Sequence, residues 1–296
     1  MNVEKIIENI KDRNLSSYFQ NNLLAVNPFQ NHKIENYKYS QLNKIDFSKN
    51  HNCILELDLN TKDNFLKMFQ KDKTIEEIST KHINWDFNGP DSAIRLASLA
   101  EDPFVYIFNL DIIDGDICII DIALYKELNF EFNFSNKDKM SIVIIDSNHN
   151  TNKNPRYFKF NVYEKSNIEI LQMSYNKVSS LIFYEFNQLN SSVVNLTVLQ
   201  ANNIHLRNEY YFNLGSECIC KISGANFSNL GINDNYSFIQ HSKPNSSSRE
   251  VFKSIINDGA ITNFQGKIYV NKVAQKTDGY QMSRSLLLDD ISKSNN

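Results

Sequence analysis

Phe130-Glu131-Phe132-Asn133-Phe134 alternates an aromatic residue with a polar one at every step. Successive side chains of a β-strand point to opposite faces, so the three rings share one face and the two polar groups the other. The same period of two recurs outward from this stretch. Phe104-Val105-Tyr106-Ile107-Phe108 and Ile117–Ile122 precede it. Phe158, Phe160 and Val162 follow, then Ile168 and Ile170, Leu181–Phe186, Val193–Leu199, Tyr211–Ile222, Tyr236–Ile239 and Lys267–Val270. Short strands separated by polar loops, with hardly any helical spacing between them, predict a mainly β region.

Such a series is compatible with a sandwich, a barrel or a solenoid. Its length, nearly two hundred residues, favours the solenoid. So does the scarcity of turn residues: 8 Gly and 5 Pro serve the whole chain, whereas tight hairpins call for glycine at positive φ. Solenoid corners can use Asn and Asp instead, which tolerate the left-handed region. No fixed period is readable in the sequence.

Before residue 103 the pattern is helical. Val3, Ile6, Ile7 and Ile10, then Leu15, Tyr18, Phe19 and Leu23, form an apolar stripe that ends at Pro28. Cys53, Leu55, Leu57 and Leu59 predict a short strand, and Thr61–Gln70 and Thr74–Thr80 short helices. A further helix starts from a cap at Asp91 or Ser92, runs through Ile94, Leu96, Ala97 and Ala100, and closes at Pro103. The expected organisation is an α-rich region over 1–102 and a β-solenoid over 103–296.

A net charge of −3 leaves no global basic field for nucleic acid or an anionic membrane. The opening MNVEKIIENIKD has acidic residues early and no apolar core, so no signal or transit peptide is read. No apolar run approaches the roughly 20 residues of a membrane span. Cys53, Cys118, Cys218 and Cys220 form no secreted disulfide framework, so a reducing cytoplasm is expected.

The most specific signal is Ala260–Leu288. It contains Phe264-x-Gly266-x-Ile268-x-Val270, then Ala274-Gln275-Lys276-Thr277-Asp278 with Gln281, then Leu286-Leu287-Leu288. His241, Ser248 and Lys253 lie just upstream, and Lys33-Ile34-Glu35-Asn36-Tyr37-Lys38-Tyr39-Ser40 near the start. Together these resemble the SufB/SufD family of iron–sulfur cluster assembly proteins, and the early motif resembles its SufD branch. The resemblance implies a right-handed parallel β-helix behind a helical N-terminal region. It implies a non-catalytic scaffold that pairs with a SufB-like subunit and a SufC-like ATPase. In that complex the SufB-like subunit receives the sulfur, and the SufD branch is mainly structural and supports iron entry. Phe264, Gly266, Ala274, Gln275, Lys276, Thr277, Asp278 and Gln281 are then packing or partner-interface residues. The cluster and ATP belong to the complex, and this chain alone is expected to bind no cofactor.

The sequence also departs from the family. A SufD-like chain continues past the triple leucine through a Cys-x-His-Gly segment into helices that dock the ATPase. Here no Cys follows Cys220 and no His follows His241. The family's proposed cluster-ligand histidine therefore has no counterpart. An incomplete solenoid, without the family's C-terminal helical domain, is expected.

Other constellations read more simply as structure. Cys218-x-Cys220 places two thiols on one face of a strand, as a metal site needs, but buried cysteine behaves as a small apolar residue. His205 and His241 are candidate ligands or proton carriers, although hydrogen-bonded structural histidines are the commoner case. His149 sits in a polar loop. Asp102, Asp111, Asp114, Asp116 and Asp121 lack EF-hand spacing. There is no G-x-x-x-x-G-K-[ST] or G-x-G-x-x-G motif. A carbohydrate-active β-helix lyase is the alternative function, and a decayed family member without activity a further one.

Overall fold

The computed structural model describes residues 78–82, 92–101, 104–110, 117–121, 128–134, 139–146, 155–175, 179–202 and 204–296. The expected helices before Gln70, the Cys53–Leu59 strand, the Lys33–Ser40 motif, His149 and Asp102, Asp111, Asp114 and Asp116 lie outside these residues.

The described residues are nearly all β-strand. In chain order they form β1 (Ile78–His82), helix α1 (Ala93–Glu101), β2 (Phe104–Leu110), β3 (Ile117–Asp121) and β4 (Asn129–Phe134). There follow β5 (Lys139–Asp146), β6 (Arg156–Val162), β7 (Asn167–Ser174), β8 (Ser180–Gln188), β9 (Val193–Asn202) and β10 (His205–Leu214). The series ends with β11 (Ile219–Asn229), β12 (Ile232–His241), β13 (Ser247–Asn257), β14 (Ile261–Val270), β15 (Asp278–Leu287) and β16 (Lys293–Asn295).

From β2 to β16 the even strands pair side by side in one sheet, and β3 to β15, the odd strands, in the other. Every one of these ladders is parallel, and only the added edge pair β1–β2 is antiparallel. The chain thus alternates between two walls and lays down one rung per circuit, which is a parallel β-helix. Arg156 lies opposite Ile182, Leu206 opposite Ser180 and Cys220 opposite Val194, each a step of 26 residues. Later steps lengthen: Ile232 to Ile261 spans 29 residues and Ser247 to Asp278 spans 31.

Because rungs stack in register, each inward position becomes a column. Phe132, Phe160, Phe186 and Phe212 stack with ring centres 5.3, 4.7 and 4.3 Å apart. Phe130, Phe158, Tyr184 and Tyr210 form the next column at 5.2, 5.5 and 5.3 Å. Each aromatic pair contributes about 0.5–1.5 kcal/mol beyond its buried area. The other sheet lines the same core with Ile142, Ile170, Leu196 and Ile222. Helix α1 packs on the first sheet at β6 and β8. Its cap is Ser92, whose Oγ accepts the Arg95 amide at 3.2 Å and donates to Glu209 Oε2. Buried Glu209 and Asp234 in turn hold the buried Arg207 guanidinium.

Three expectations are corrected. Ile78–Thr80, read as the end of a helix, belongs to strand β1, where the β-branched Ile78 and Thr80 join the edge of β2. Tyr211–Ile222, read as one run, is two strands, β10 and β11, separated by a corner at 215–218. The corners also rely on Asn and Asp less than expected. Lys165, Ser191, Glu217, Asn245 and Lys276 take positive φ on one edge, and Leu230, Gly231, Asp258 and Gly259 on the other.

A left-handed residue costs about 1–2 kcal/mol. On the first edge a hydrogen bond offsets it: Lys165 donates its amide to Asn190 O, Ser191 to Ser216 O, Glu217 to Pro244 O and Asn245 to Gln275 O, at 2.8–3.1 Å. One such bond is worth about 1 kcal/mol net. Stacking of corner on corner, rather than side-chain preference, selects the conformation.

Phe186 is fully buried between two rings. Phe186→Ala is expected to cost about 3–5 kcal/mol in urea unfolding. Leu199→Ala, at an exposed outward position, should change stability by less than about 0.5 kcal/mol.

Candidate functional site

The signature residues gather on the last described rungs. Phe264 lies in the core, its ring centre 5.0 Å from that of Phe252. Ile268 packs partly against the same core, whereas Val270 is exposed. Gly266 faces inward between them. A Cβ built there would lie 2.8 Å from Gln281 Oε1 and 3.1 Å from Glu250 Oε2, so these groups would have to shift to admit a side chain. The obstacles are tips of side chains rather than backbone.

Ala274–Thr277 occupy the corner between β14 and β15. Ala274 is buried, while Gln275 and Lys276 are exposed. Gln275 O accepts the Asn245 amide, Gln275 Nε2 donates to Lys272 O at 2.7 Å, and Thr277 Oγ1 donates to Ala274 O at 3.4 Å. Exposed Asp278 opens β15 by donating its amide to Ser246 O, and Gln281 Nε2 donates to Gly266 O at 3.4 Å. Polar groups satisfy the corner, and the motif packs one rung onto the next.

Of the upstream trio, His241 and Ser248 meet across the interior, with Nε2 2.9 Å from Oγ. Lys253 stands on the outer face. Burial lowers the pKa of His241, against an opposing pull from Asp278. Among the described residues its Nδ1 has no hydrogen-bond partner, so none of them orients the ring as a nucleophilic triad requires. Burial, reinforced by Arg207, pushes His205 down to about 3, which removes it as a proton carrier near neutral pH.

Cys218 and Cys220 are both free and buried. Cys218 is a corner residue, in the column that carries Ser192 and Ser246 on adjacent rungs, and its Sγ donates to Leu189 O at 3.1 Å. It replaces a hydroxyl. Cys220 points into the core, where burial, then Glu250, hold its thiol well above the ordinary range. Among the described residues no group of three or more His, Cys, Asp or Glu could hold a metal ion. No described helix is long and apolar enough to cross a membrane.

Sequence reasoning missed the polar interior of the later rungs. Gln200 and Asn235 exchange two hydrogen bonds of 3.1 Å, and Tyr210 donates to Gln172 at 2.9 Å. Ser237 donates to Glu250 Oε2 at 2.8 Å. Burial pushes Glu250 up to about 7. One signal was available: Glu250 keeps step with Phe252 and Ile256, so period two places it inside.

Residues 136–296, more than half of the chain, match the family described as SUF system FeS cluster assembly, SufBD core domain. The chain belongs to the SufBD core-domain family. Its function therefore lies in SUF iron–sulfur cluster assembly, in a family of scaffold type. A search of curated proteins returned no match. Membership accounts for the late motif: its residues build rungs and corners of the core domain that the family shares.

Two outcomes test this account. In a Cys53→Ser, Cys118→Ser background, Ellman's reagent should titrate no thiol in the native protein and two after denaturation; rapid native reaction would argue for an accessible pair. Gly266→Val should lower unfolding stability by about 1–3 kcal/mol, and unchanged stability would count against the packing role of Gly266.

Proposed function

We propose that the chain is a non-catalytic scaffold subunit of a SufBCD-type complex, pairing with a SufB-like subunit and a SufC-like ATPase. The family match over the solenoid carries this reading. On it, the cluster is the product of the complex and ATP is consumed by the ATPase. The chain contributes surface, holds no cofactor of its own and works in the cytoplasm.

The surface that supports pairing is the rim formed by β14, β15, the corner between them and the connection that follows β15. Val273, Leu286, Leu288 and Ile291 are 67, 57, 58 and 69% exposed. Tyr269, Val270, Tyr280 and Leu287 extend the same apolar rim. Apolar exposure on this scale marks an interaction site. The signature residues Gln275, Lys276, Asp278 and Gln281 border this rim, which suits an interface role for them.

The test is co-purification from the native source, with the gene tagged at its chromosomal locus. SufB-like and SufC-like proteins should be retained. Leu286→Asp with Leu288→Asp should reduce their recovery at least tenfold, while Leu199→Asp on the outer face should not. A tagged chain that retains neither partner sinks the scaffold reading.

A further inference from the structure

Glu250 is fully buried inside the solenoid, on β13. It faces Ile222 of the rung before it and Gln281 of the rung after it. Its Oε2 accepts the Ser237 hydroxyl from β12. Among the described residues its Oε1 has no partner. No cation among the described residues answers it from any packed element. On β10 there is Tyr210, whose hydroxyl binds Gln172 and whose ionisation burial suppresses. The β11 side supplies the Cys220 thiol, with Cys218 at the adjoining corner. From β12 comes His241, whose pKa burial lowers and whose Nε2 lies 2.9 Å from Ser248 Oγ. Phe264, Gly266 and Ile268 of β14 carry no charge, nor do Gly279, Gln281 and Ser283 of β15. Asp278, at the exposed start of β15, acts on His241 and adds only negative charge.

We propose that Glu250 is a proton-operated latch: its carboxylic acid form seats the β14–β15 rung on the rung beneath, and its carboxylate releases that rung. A carboxylate at this position is buried with one oxygen unsatisfied and no counter-charge, a costly arrangement. The neutral acid removes the charge and turns Oε1 into a donor. The space above it exists because Gly266 has no side chain, and Gln281 lies across that space. Lifting β15 brings water to the carboxylate. On the β11 side Ile222 faces Glu250 and the Phe252 ring covers Gly224, so hydration comes through β15. The proton leaves to solvent when the rung lifts.

The sign follows from linkage. The group ionises near 4.5 when exposed and near 7 when seated, so the seated form binds the proton more tightly. Seating is strongest below about pH 4.5, weakens as pH rises towards 7, and is level above that.

Hydrogen exchange on the full 296-residue chain tests this, with rates corrected for intrinsic pH dependence. The opening constant of the β15 amides should rise between pH 5 and pH 8 by roughly a hundredfold, the effect of a two-unit span. Amides of β7 and β9, remote from Glu250, should show much less. Glu250→Gln, which mimics the acid, should match the wild type at pH 5 and remain protected at pH 8. If the wild-type β15 amides respond no more than those of β7 and β9, the latch does not exist. If wild type and variant change together with pH, another group is responsible. Should the variant not fold, the comparison of strands within the wild-type chain decides alone.

Discussion

Stacking one rung on the next in register is the constraint on which everything else depends. A parallel ladder with no slip forces each inward side chain to sit beneath its counterpart one circuit later. The chain must therefore solve the same packing problem repeatedly, in columns. Rings stacked on rings solve it from Phe130 to Tyr210, and isoleucine, leucine and valine on the opposing wall complement them. The corners obey the same rule, since Lys165, Ser191, Glu217 and Asn245 on one edge each hand their amide to the corner above. Outer-face polarity follows it as well: Asn161 donates to Asn133 at 2.7 Å and Asn187 to Asn161 at 3.5 Å, a ladder of amides along the solenoid.

The columns change character along the axis. Aromatic and aliphatic residues fill the early rungs. From β7 onward amides, hydroxyls and finally a carboxyl enter the interior, mostly in matched pairs. Glycine accompanies the change. A Cβ at Gly224 would lie 2.2 Å from the Phe252 ring, so Phe252 fills the space its neighbour leaves. One rung further the same relation holds between Gly266 and the polar tips of Glu250 and Gln281. Small beside large keeps the columns in step where identical stacking ends.

The walls of the solenoid were legible because period two is a local signal. Where rings alternate with polar residues, as in β4 and β6, strand and inward face could both be read from a few residues. The signal failed where both faces are buried or where the inward residues are polar. Tyr210, Tyr211 and Phe212 are all buried, so their run gave no alternation and the corner at 215–218 passed unseen. In β13 and β15 the inward positions include Ser248, Glu250, Gly279 and Gln281, which no hydrophobic pattern reveals. The late motif identified the family, yet the packing role of Gly266 needs the register, because its neighbours Glu250 and Gln281 come from other strands. The corners were misjudged for a similar reason: Lys165 and Glu217 have no intrinsic preference for positive φ, and the hydrogen bond that holds them there comes from the next circuit.

The widening of one corner has a consequence for how such a chain can vary. Between consecutive strands on that edge the connection is four residues at 189–192 and 215–218, five at 242–246 and seven at 271–277. The strands themselves keep their pairing unbroken through this growth. Extra residues are therefore absorbed at the perimeter, where they protrude as a ridge and leave the interior spacing untouched. A lineage can lengthen or recut that ridge to fit a changing neighbour without renegotiating the columns inside.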